Sequence, residues 1–345
     1  MAYTTIPKST DYFNTKLYTG TSSGNQAVTG VGFQPDWIWT KNRVDAFGSN
    51  LYDAIRGTGY YLQSNNTSAS QSVVASLISF DSDGFTVGTG DNVQYTSNNG
   101  VAWNWKANGL GSANTDGSIN TTYTSANTTS GFSISKFVGT GSNATVGHGL
   151  GVAPKMIIVK SLVSGNWSVY HASLGGTKAI FMDLTGGAAT HIDYWNNTDP
   201  TSSVFSIGTS SNMNHSGQDM IAYCFAEVQG YSKIGSYIGN GSATAPPFIY
   251  LGFKPAFVLL KNTTQADSWF LHDSKRDGFN DDNEYLRPNL TDGDSSGINR
   301  IRLLSNGFSV PTTDKSHNVN GNNYIYMAFA EEPLVSTNGI PATAR

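Results

Sequence analysis

The stretch that decides the fold reads GVAPKMIIVK and occupies residues 151–160. It returns as GFQPDWIWTK at residues 32–41 and as GFKPAFVLLK at residues 252–261. In each copy a Gly-x-x-Pro start leads into an almost continuous apolar run that ends on lysine. Such a run is typical of a central strand covered on both faces, or of one that faces a neighbouring unit. Proline fits the first position of a strand, where its missing N–H costs least. We therefore interpret the three stretches as equivalent strands.

A strand end before this stretch and three further blocks after it recur in the same order in each copy. An aromatic-x-Gly strand end precedes each proline, and a short strand, a Phe-containing block and a closing aromatic strand follow it at closely matching distances. The marker residues, given in chain order for each block, are Tyr18, Phe137 and Tyr237; Asp53, His171 and Asp273; Phe85, Phe205 and Phe308; and Trp105, Phe225 and Phe329. Several blocks at a fixed spacing are the signature of internal repeats. The sequence thus predicts three tandem units of about 100 residues each.

The composition between the turn signals favours an all-β fold. Short runs rich in Val, Ile, Phe, Tyr, Trp and Thr alternate with Gly, Asn, Asp and Ser, and sustained helical periodicity is not found. We expect three antiparallel β-sandwich or jelly-roll-like units. The predicted organisation is an N-terminal arm (1–11), repeat one (12–107), a Gly/Ser/Thr/Asn-rich linker (108–130), repeat two (131–229), repeat three (230–333) and a C-terminal tail (334–345). A poorly anchored extra strand pair is the alternative for the linker. Because only repeats two and three are joined directly, we expect these two to form one block and repeat one to be more independent.

Charge and cysteine content limit the classes of function. Charged residues make up only 13% of the chain, the net charge is −4, and Lys and Arg are scattered. These features predict no nucleic-acid partner and no docking onto an anionic membrane. The N-terminus has no secretory signal, no run is long enough to span a bilayer, and the single cysteine, Cys224, rules out an intrachain disulfide. We therefore expect synthesis in a reducing cytoplasm.

The histidines and acidic turns offer candidate sites of low specificity. The six histidines, His148, His171, His191, His215, His272 and His317, show no metal-ligand spacing. His171 and His272 lie at nearly equivalent repeat positions, which favours a structural role at strand ends over a repeated binding residue. Residues 81–84 (Asp-Ser-Asp-Gly) and 281–284 (Asp-Asp-Asn-Glu) resemble fragments of calcium loops, although turns alone account for such residues. We predict no metal, catalytic or cofactor-binding residues, with a structural calcium ion as the alternative.

The tryptophans and Cys224 are predicted to serve the core. Alternate residues of a strand share a face, so Trp37 and Trp39 point the same way, as do Trp103 and Trp105. Trp195 lies in a loop-like stretch and is the tryptophan expected to be exposed. No Gly-x-Ser-x-Gly stretch has the strand-to-helix context of a nucleophile elbow, which together with the repeats predicts a protein that is not an enzyme.

The four-block pattern resembles a family of repeat domains from marine bacteriophages of cyanobacteria and other ocean bacteria. The resemblance covers nearly the whole chain. It is carried by DYFNTKLYTG (11–20), AWNWKA (102–107), VGHGLGVAPKMI (146–157), AYCFAE (222–227) with GYSK (230–233), YMAFAE (326–331) and the terminal TAR (343–345). It implies a structural or tail-fibre-like virion protein and implies no catalytic residues.

The resemblance leads to three expectations for function. The first is an exposed appendage on the virion surface, a tail fibre or receptor-binding protein, which would be a homotrimer beside other virion proteins and would contact host surface glycans. The second is a capsid decoration or head-fibre protein attached by its N-terminal arm. The third is a glycan-cleaving tail enzyme, which would require a pair of carboxylates in a cleft.

Overall fold

Antiparallel sheets of short strands make up the fold, as the alternation of β-branched and aromatic runs with turn residues predicts. A computed structural model describes residues 4–21, 23–90, 93–94, 99–276, 284–296, 299–333 and 335. Two four-residue α-helices, α1 (Ile192–Trp195) and α2 (Ser211–Asn214), and a 3-10 turn (Ser9–Asp11) are the helical elements of this part of the chain. None of the helices described is long and apolar enough to cross a membrane.

Unit one consists of a six-stranded and a three-stranded sheet. Its strands are β1 (Phe13–Thr19), β2 (Gln26–Thr29), β3 (Trp37–Asn42), β4 (Asn50–Asp53), β5 (Tyr60–Gln63), β6 (Gln71–Ser72), β7 (Leu77–Asp81), β8 (Gly84–Val87) and β9 (Asn99–Trp105). The large sheet has the order β1-β9-β3-β4-β5-β6, and the small sheet has the order β2-β8-β7.

Unit two consists of a seven-stranded and a two-stranded sheet. Its strands are β10 (Tyr123–Asn127), β11 (Phe132–Val138), β12 (Ala144–Gly147), β13 (Met156–Ser161), β14 (Ser168–His171), β15 (Lys178–Phe181), β16 (Ala189–Thr190), β17 (Val204–Ile207) and β18 (Asp219–Phe225). The large sheet has the order β10-β11-β18-β13-β14-β15-β16, and β12 pairs with β17.

Unit three consists of a four-stranded and a three-stranded sheet. Its strands are β19 (Ser232–Ile238), β20 (Phe248–Tyr250), β21 (Phe253–Asn262), β22 (Trp269–Asp273), β23 (Arg302–Leu304), β24 (Gly307–Ser309) and β25 (Asn323–Pro333). The large sheet has the order β19-β25-β21-β22, and the small sheet has the order β20-β24-β23.

The proline blocks occupy the same place in each large sheet. Strands β3, β13 and β21 each lie between the closing strand and the short strand of their own unit, as the continuous apolar runs predict. The strand registers of the three units agree. In each unit, one residue of the central strand pairs with the last aromatic residue of the closing strand on one side and with the end of the short strand on the other. The triplets are Trp105, Trp37 and Asp53; Phe225, Met156 and His171; and Phe329, Phe257 and Asp273. The all-β sandwich class is confirmed, whereas the number of repeats stays an interpretation that these registers support.

Each large sheet packs on both faces. One face covers the unit's own small sheet and forms a separate core, in which Ile38 of unit one is buried. The opposite face, which carries Trp37 and Trp39, points into a core shared by all three units. In that shared core the Trp37 ring lies 4.7 Å from the Tyr223 ring, and the Phe13 ring lies 5.1 Å from the Phe329 ring. Unit one therefore contacts both other units, and the structure does not give it the independence expected from the linker.

The segments outside the predicted repeats are also anchored. Within residues 108–130, strand β10 adds to the edge of β11, so this stretch is an extra strand and not a free linker. In the N-terminal arm, Thr4 and Ile6 are buried, and the Ser9 amide lies 3.3 Å from Oε2 of Glu332. The described part of the arm is thus packed onto the chain's own core.

Candidate functional site

A ring of contacts between the units is the main polar feature of the molecule. The lysine that ends each proline block is buried, and its ammonium group donates to a carbonyl of its own loop and to at least one carbonyl of a neighbouring unit. In unit two, Lys160 Nζ lies 2.8 Å from the Gly165 oxygen and 3.2 Å from the Thr67 oxygen of unit one. The other donations run from Lys41 to Phe47, Leu290 and Thr291, and from Lys261 to Asp267 and Thr185. Unit one thus contacts unit three, unit three contacts unit two, and unit two contacts unit one.

The repeated lysine explains how an apolar central strand can end on a charge. Its aliphatic stem passes through the packed interior, and its ammonium group donates to loop carbonyls. The carbonyls of Thr67 and Thr185 also accept a backbone amide, from Gly165 and Asp267 respectively, so each lysine adds a charged donor to a contact that the backbone already makes. Burial lowers the pKa of Lys41, Lys160 and Lys261 to about 8 in each case. Each lysine therefore remains mainly protonated at neutral pH, and the carbonyls it contacts keep a charged donor.

A second set of contacts between the units lies where the short strands end. In unit one, Asp53 is buried and its Oδ2 accepts a 2.8 Å hydrogen bond from the Tyr223 hydroxyl of unit two. In unit three, Asp273 Oδ2 accepts a 3.0 Å hydrogen bond from Trp103 Nε1 of unit one. Both carboxylates also pair with an arginine three residues later, Arg56 at 2.5 Å and Arg276 at 2.6 Å. The two buried charges are thus neutralised locally and hydrogen-bonded across the interface.

The equivalent position of unit two carries a neutral side chain instead. His171 lies there, its Nε2 is 3.2 Å from the Tyr326 carbonyl of unit three, and burial lowers its pKa to about 4. The residue of unit three that corresponds to Trp103 and Tyr223 is Met327, which has no donor to offer. An aspartate at this place would lack the cross-unit hydrogen bond, so an uncharged imidazole suits the site better.

A network of ion pairs strengthens the interface between units one and three. Arg43 of unit one pairs with Glu284 at 2.6 Å and with Asp294 at 2.5 Å, and Asp294 also pairs with Arg276 at 2.8 Å. The two carboxylates share Arg43, so in this structure they serve as an ion-pair network between units. This geometry does not place them on either side of a cleft, as glycoside hydrolysis would require.

The predicted core role of the tryptophans and Cys224 is confirmed, with one exception. Trp37, Trp39, Trp103 and Trp105 are buried in the shared core, and Cys224 is buried on the opposite side of its sheet, where burial raises the pKa of its thiol. The expectation that Trp195 is exposed is wrong, because only 1% of it is accessible. Its ring meets Tyr170 at 5.6 Å, and the one-turn helix α1 directs it into the core of unit two.

The equivalence of His171 and His272 fails by one residue. His171 faces Met156, whereas His272 faces Val258 and its neighbour Asp273 takes the place that corresponds to His171. Because successive residues of a strand point to opposite faces, this shift moves His272 from the shared core to the core side of unit three. The spacing from the proline did not carry this signal, because His171 and His272 each lie 17 residues after the proline of their own unit.

Sequence reasoning missed a buried polar cluster in unit three, formed by His272, His317, Ser316, Asp314 and Arg300. The Nε2 atoms of the two histidines are 2.9 Å apart, and the Ser316 hydroxyl lies 2.5 Å from His317 Nδ1 and 2.5 Å from Asp314 Oδ1. Burial, together with the charge of Arg300, holds the pKa of both histidines well below the usual range, so both rings are neutral. Ser316 and His317 are almost completely buried, so a substrate cannot reach the hydroxyl in this structure.

The acidic turns do not assemble a cation site in the described residues. Asp83 accepts hydrogen bonds from the amides of Gly30 and Gly32 at 3.0 and 2.7 Å, which lowers its pKa, and Asp81 accepts from the Thr86 hydroxyl. In the second candidate, residues 281–283 lie outside the described residues, and Glu284 pairs with Arg43. No group of three or more His, Cys, Asp or Glu side chains that could hold a metal ion occurs in the part of the chain that the structure describes.

An open groove lies where the N-terminal arm crosses the junction of units two and three. It has a volume of about 300 Å³. Its polar lining residues are Thr4, Thr5, Thr128, Thr129, Glu227 and Gln229. Oε1 of Glu227 accepts a 2.8 Å hydrogen bond from the Ile234 amide, which fixes the carboxylate at one wall. The groove therefore offers hydroxyl, amide and carboxylate groups and could hold a small polar ligand by hydrogen bonds.

The fold and these features define an all-β sandwich protein whose units are joined by buried polar contacts. Residues 8–333 match a domain family described as a domain of unknown function (DUF7483), so the chain belongs to that family. A search of curated proteins gives no match to the chain.

Proposed function

We propose that the protein is a non-enzymatic structural component of a phage virion, exposed on the particle surface as a tail-fibre or receptor-binding appendage. The observation that carries the proposal is the closed ring of lysine, aspartate and arginine contacts between units. The buried charges named above serve to hold one unit against the next, which suits a rigid body that must persist outside a cell without disulfides. The phage context itself comes from the sequence resemblance.

Localisation on intact particles tests the proposal most directly. Antibodies against the purified chain, used for gold labelling of phage particles of the resembling marine type, should label the tail or its fibres. Labelling at capsid faces would identify a decoration protein instead. Particles that carry no label and contain no trace of the chain would overturn the virion assignment.

The groove at the arm is the surface that we assign to host glycans. Its hydroxyl and amide groups match the hydrogen-bonding needs of sugar hydroxyls, and its volume accommodates about one hexose. Replacement of Thr128 and Thr129 by valine should reduce adsorption of the purified chain to host cells. Thr244→Val, at an exposed threonine away from the groove, is the matched control. Equal adsorption of the two variants would remove the groove from the proposal.

Attachment by the N-terminal arm, as expected for a capsid decoration protein, is not favoured. Ile6 is buried in the shared core and Ser9 contacts Glu332, so the arm from residue 4 onward would have to leave its own chain before binding a capsid.

The homotrimer stays a prediction that light scattering on the purified chain can test. Since the three units already close the shared core within one chain, partner copies would have to meet at a different surface.

A further inference from the structure

In unit two, one segment covers two sheet edges at once. Strand β10 pairs with the outer edge of β11, with Ser125 opposite Ile134. Earlier in the same segment, the Ile119 amide donates to the Thr145 carbonyl of β12 at 3.0 Å, and the Ser118 amide donates to the Thr145 hydroxyl at 2.9 Å. Residues 112–127 therefore close the edge of the large sheet and the edge of the small sheet together.

Among the residues that the structure describes, no such segment covers the equivalent edges of unit three. Strands β19 and β20 correspond to β11 and β12, and in the described residues each pairs on one side only, with β25 and β24 respectively. The Tyr231 carbonyl accepts from Ala330 of β25, and the Gly239 amide donates to the Asn322 carbonyl just before β25. The alternation of an antiparallel ladder therefore directs the backbone groups of Ser236 and Ile238 outward. Open edges of this kind are templates for pairing with another chain.

The side chains next to these open edges are apolar. Ile238 on β19 is 63% exposed, and Phe248 and Tyr250 on β20 are 49% and 53% exposed. Phe248 stands at the position of Thr145, which in unit two is covered by Ser118. Lys233 of β19 lies 5.5 Å from the centre of the Tyr250 ring, which links the two edges into one surface. Unit three thus exposes aromatic rings on the surface that unit two covers.

We propose that the β19–β20 edge of unit three is a docking site for an extended segment of another polypeptide. The segment pairs antiparallel with β19 at Ser236 and Ile238 and places an apolar side chain on Phe248. Main-chain hydrogen bonds supply affinity and the aromatic rings supply specificity, as in strand addition by peptide-recognition domains. The partner segment resembles residues 112–127 in being extended and poor in charge, with an apolar residue at the place of Ser118.

A second copy of this chain fits the surface less well. The Ile234 amide is already bound by Glu227, which leaves the outward groups of Ser236 and Ile238 for any partner strand. Pairing of β19 with β19 of another copy would also leave Phe248 and Tyr250 uncovered, because they lie on the small sheet. The proposal does not depend on where the protein sits on a particle.

Two synthetic peptides test the proposal on the full chain. One has the sequence of residues 112–127, and the other carries S118L. Hydrogen exchange of the backbone between residues 232 and 240, measured by mass spectrometry at peptide concentrations up to about 1 mM, reports pairing with β19. We expect slower exchange of this stretch with both peptides and at least tenfold tighter binding of the S118L peptide, because a leucine covers Phe248.

Three variants of the chain decide between outcomes. Ser236→Pro removes an outward N–H and should abolish protection, whereas the control Ser236→Ala keeps the N–H and the response. Phe248→Thr introduces the residue type that unit two has at this position, Thr145, and should abolish the preference for the S118L peptide. This variant keeps the test decisive if Ser236→Pro does not fold. The proposal is overturned if the peptides do not slow hydrogen exchange of residues 232–240, or if they still slow it in Ser236→Pro. It is also overturned if exchange slows without peptide as the chain concentration rises, because that result would identify a second copy as the partner.

Discussion

Deletion of one hydroxyl tests whether the three units unfold as a single ring. Tyr223 of unit two is fully buried, and its hydroxyl donates to Asp53 of unit one at 2.8 Å. Tyr223→Phe removes this oxygen and leaves the ring stacked on Trp37. Arg56 still pairs with the same carboxylate oxygen at 2.5 Å, so the carboxylate keeps its charged partner. The substitution therefore isolates one hydrogen bond between two units.

The magnitude follows from the charge of the acceptor. Hydrogen bonds to charged groups contribute about 1.5–3 kcal/mol net, so the free energy of unfolding should fall by that amount. Unfolding entropy is about 2.1 cal/mol/K per residue near 60 °C, so a 345-residue cooperative unit loses about 1.4 °C per kcal/mol. The melting temperature of the whole chain should drop by about 2–4 °C. An independent unit of about 100 residues would lose about 7–14 °C for the same change.

Differential scanning calorimetry separates these cases. We expect one transition in the wild type and one in Tyr223→Phe, shifted by the smaller amount. The control is Tyr60→Phe, at an exposed tyrosine of β5. This substitution should change the free energy of unfolding by no more than about 0.5 kcal/mol. Two or more transitions, of which only one moves in Tyr223→Phe, would refute the reasoning that the shared core and the ring contacts make the units cooperative.

Three other predictions concern single positions. Lys160→Met should lower the free energy of unfolding by about 1.5–3 kcal/mol in urea denaturation, because the charged hydrogen bonds to the Gly165 and Thr67 carbonyls are lost, whereas Lys155→Met at an exposed lysine should change little. The pKa of Lys160 is about 8 in the folded chain and about 10.5 in the unfolded chain, so the unfolded state binds more protons between these two values. The free energy of unfolding should therefore rise from pH 8 to pH 10. The rise should be smaller in Lys160→Met. His171, with a pKa lowered to about 4, should cost up to about 3 kcal/mol of stability as the pH falls from 6.5 to 4, and His171→Asn should reduce that loss in urea midpoints measured across the range. Gly84→Ala should destabilise by more than about 2 kcal/mol in the same assay, because Gly84 has φ +145° and its Cβ would lie 2.0 Å from the Val28 oxygen.

The strand pattern of single units could be predicted because it depends on local spacing. The apolar run after each proline marked a central strand, and the pairs Trp37 with Trp39 and Trp103 with Trp105 followed the two-residue period onto one face. The apolar run also indicated, as one alternative, that one face meets a neighbouring unit, but it did not indicate which residues of that unit lie there. A sheet with two apolar faces needs a second partner, and the position of that partner is not encoded in any spacing within one unit.

The errors in the sequence interpretation have local physical causes. Trp195 lies between polar residues, so its surroundings predict a loop, but one helical turn is enough to direct its ring onto Tyr170. Strand β10 is rich in Ser and Thr because it is an edge strand, and such a composition is hard to distinguish from a linker. The cluster around His317 was missed because it joins His272 of strand β22 to Arg300 and to the loop at residues 314–317, and these parts of the chain meet only in the folded unit.

The differences between the units are what fix their order around the ring. If the three units had identical sequences, the contact surface of each unit would fit either of the other two equally well. Here the Tyr223 hydroxyl requires an acceptor, which Asp53 provides and the neutral His171 would provide less well. An Asp–Arg pair placed against Met327 would lack its cross-unit donor and would bury an incompletely satisfied charge, which is costly. The divergence at these buried positions therefore penalises the wrong arrangement as much as it stabilises the right one. A single chain can use this device because each of its units carries its own sequence, whereas three identical subunits cannot.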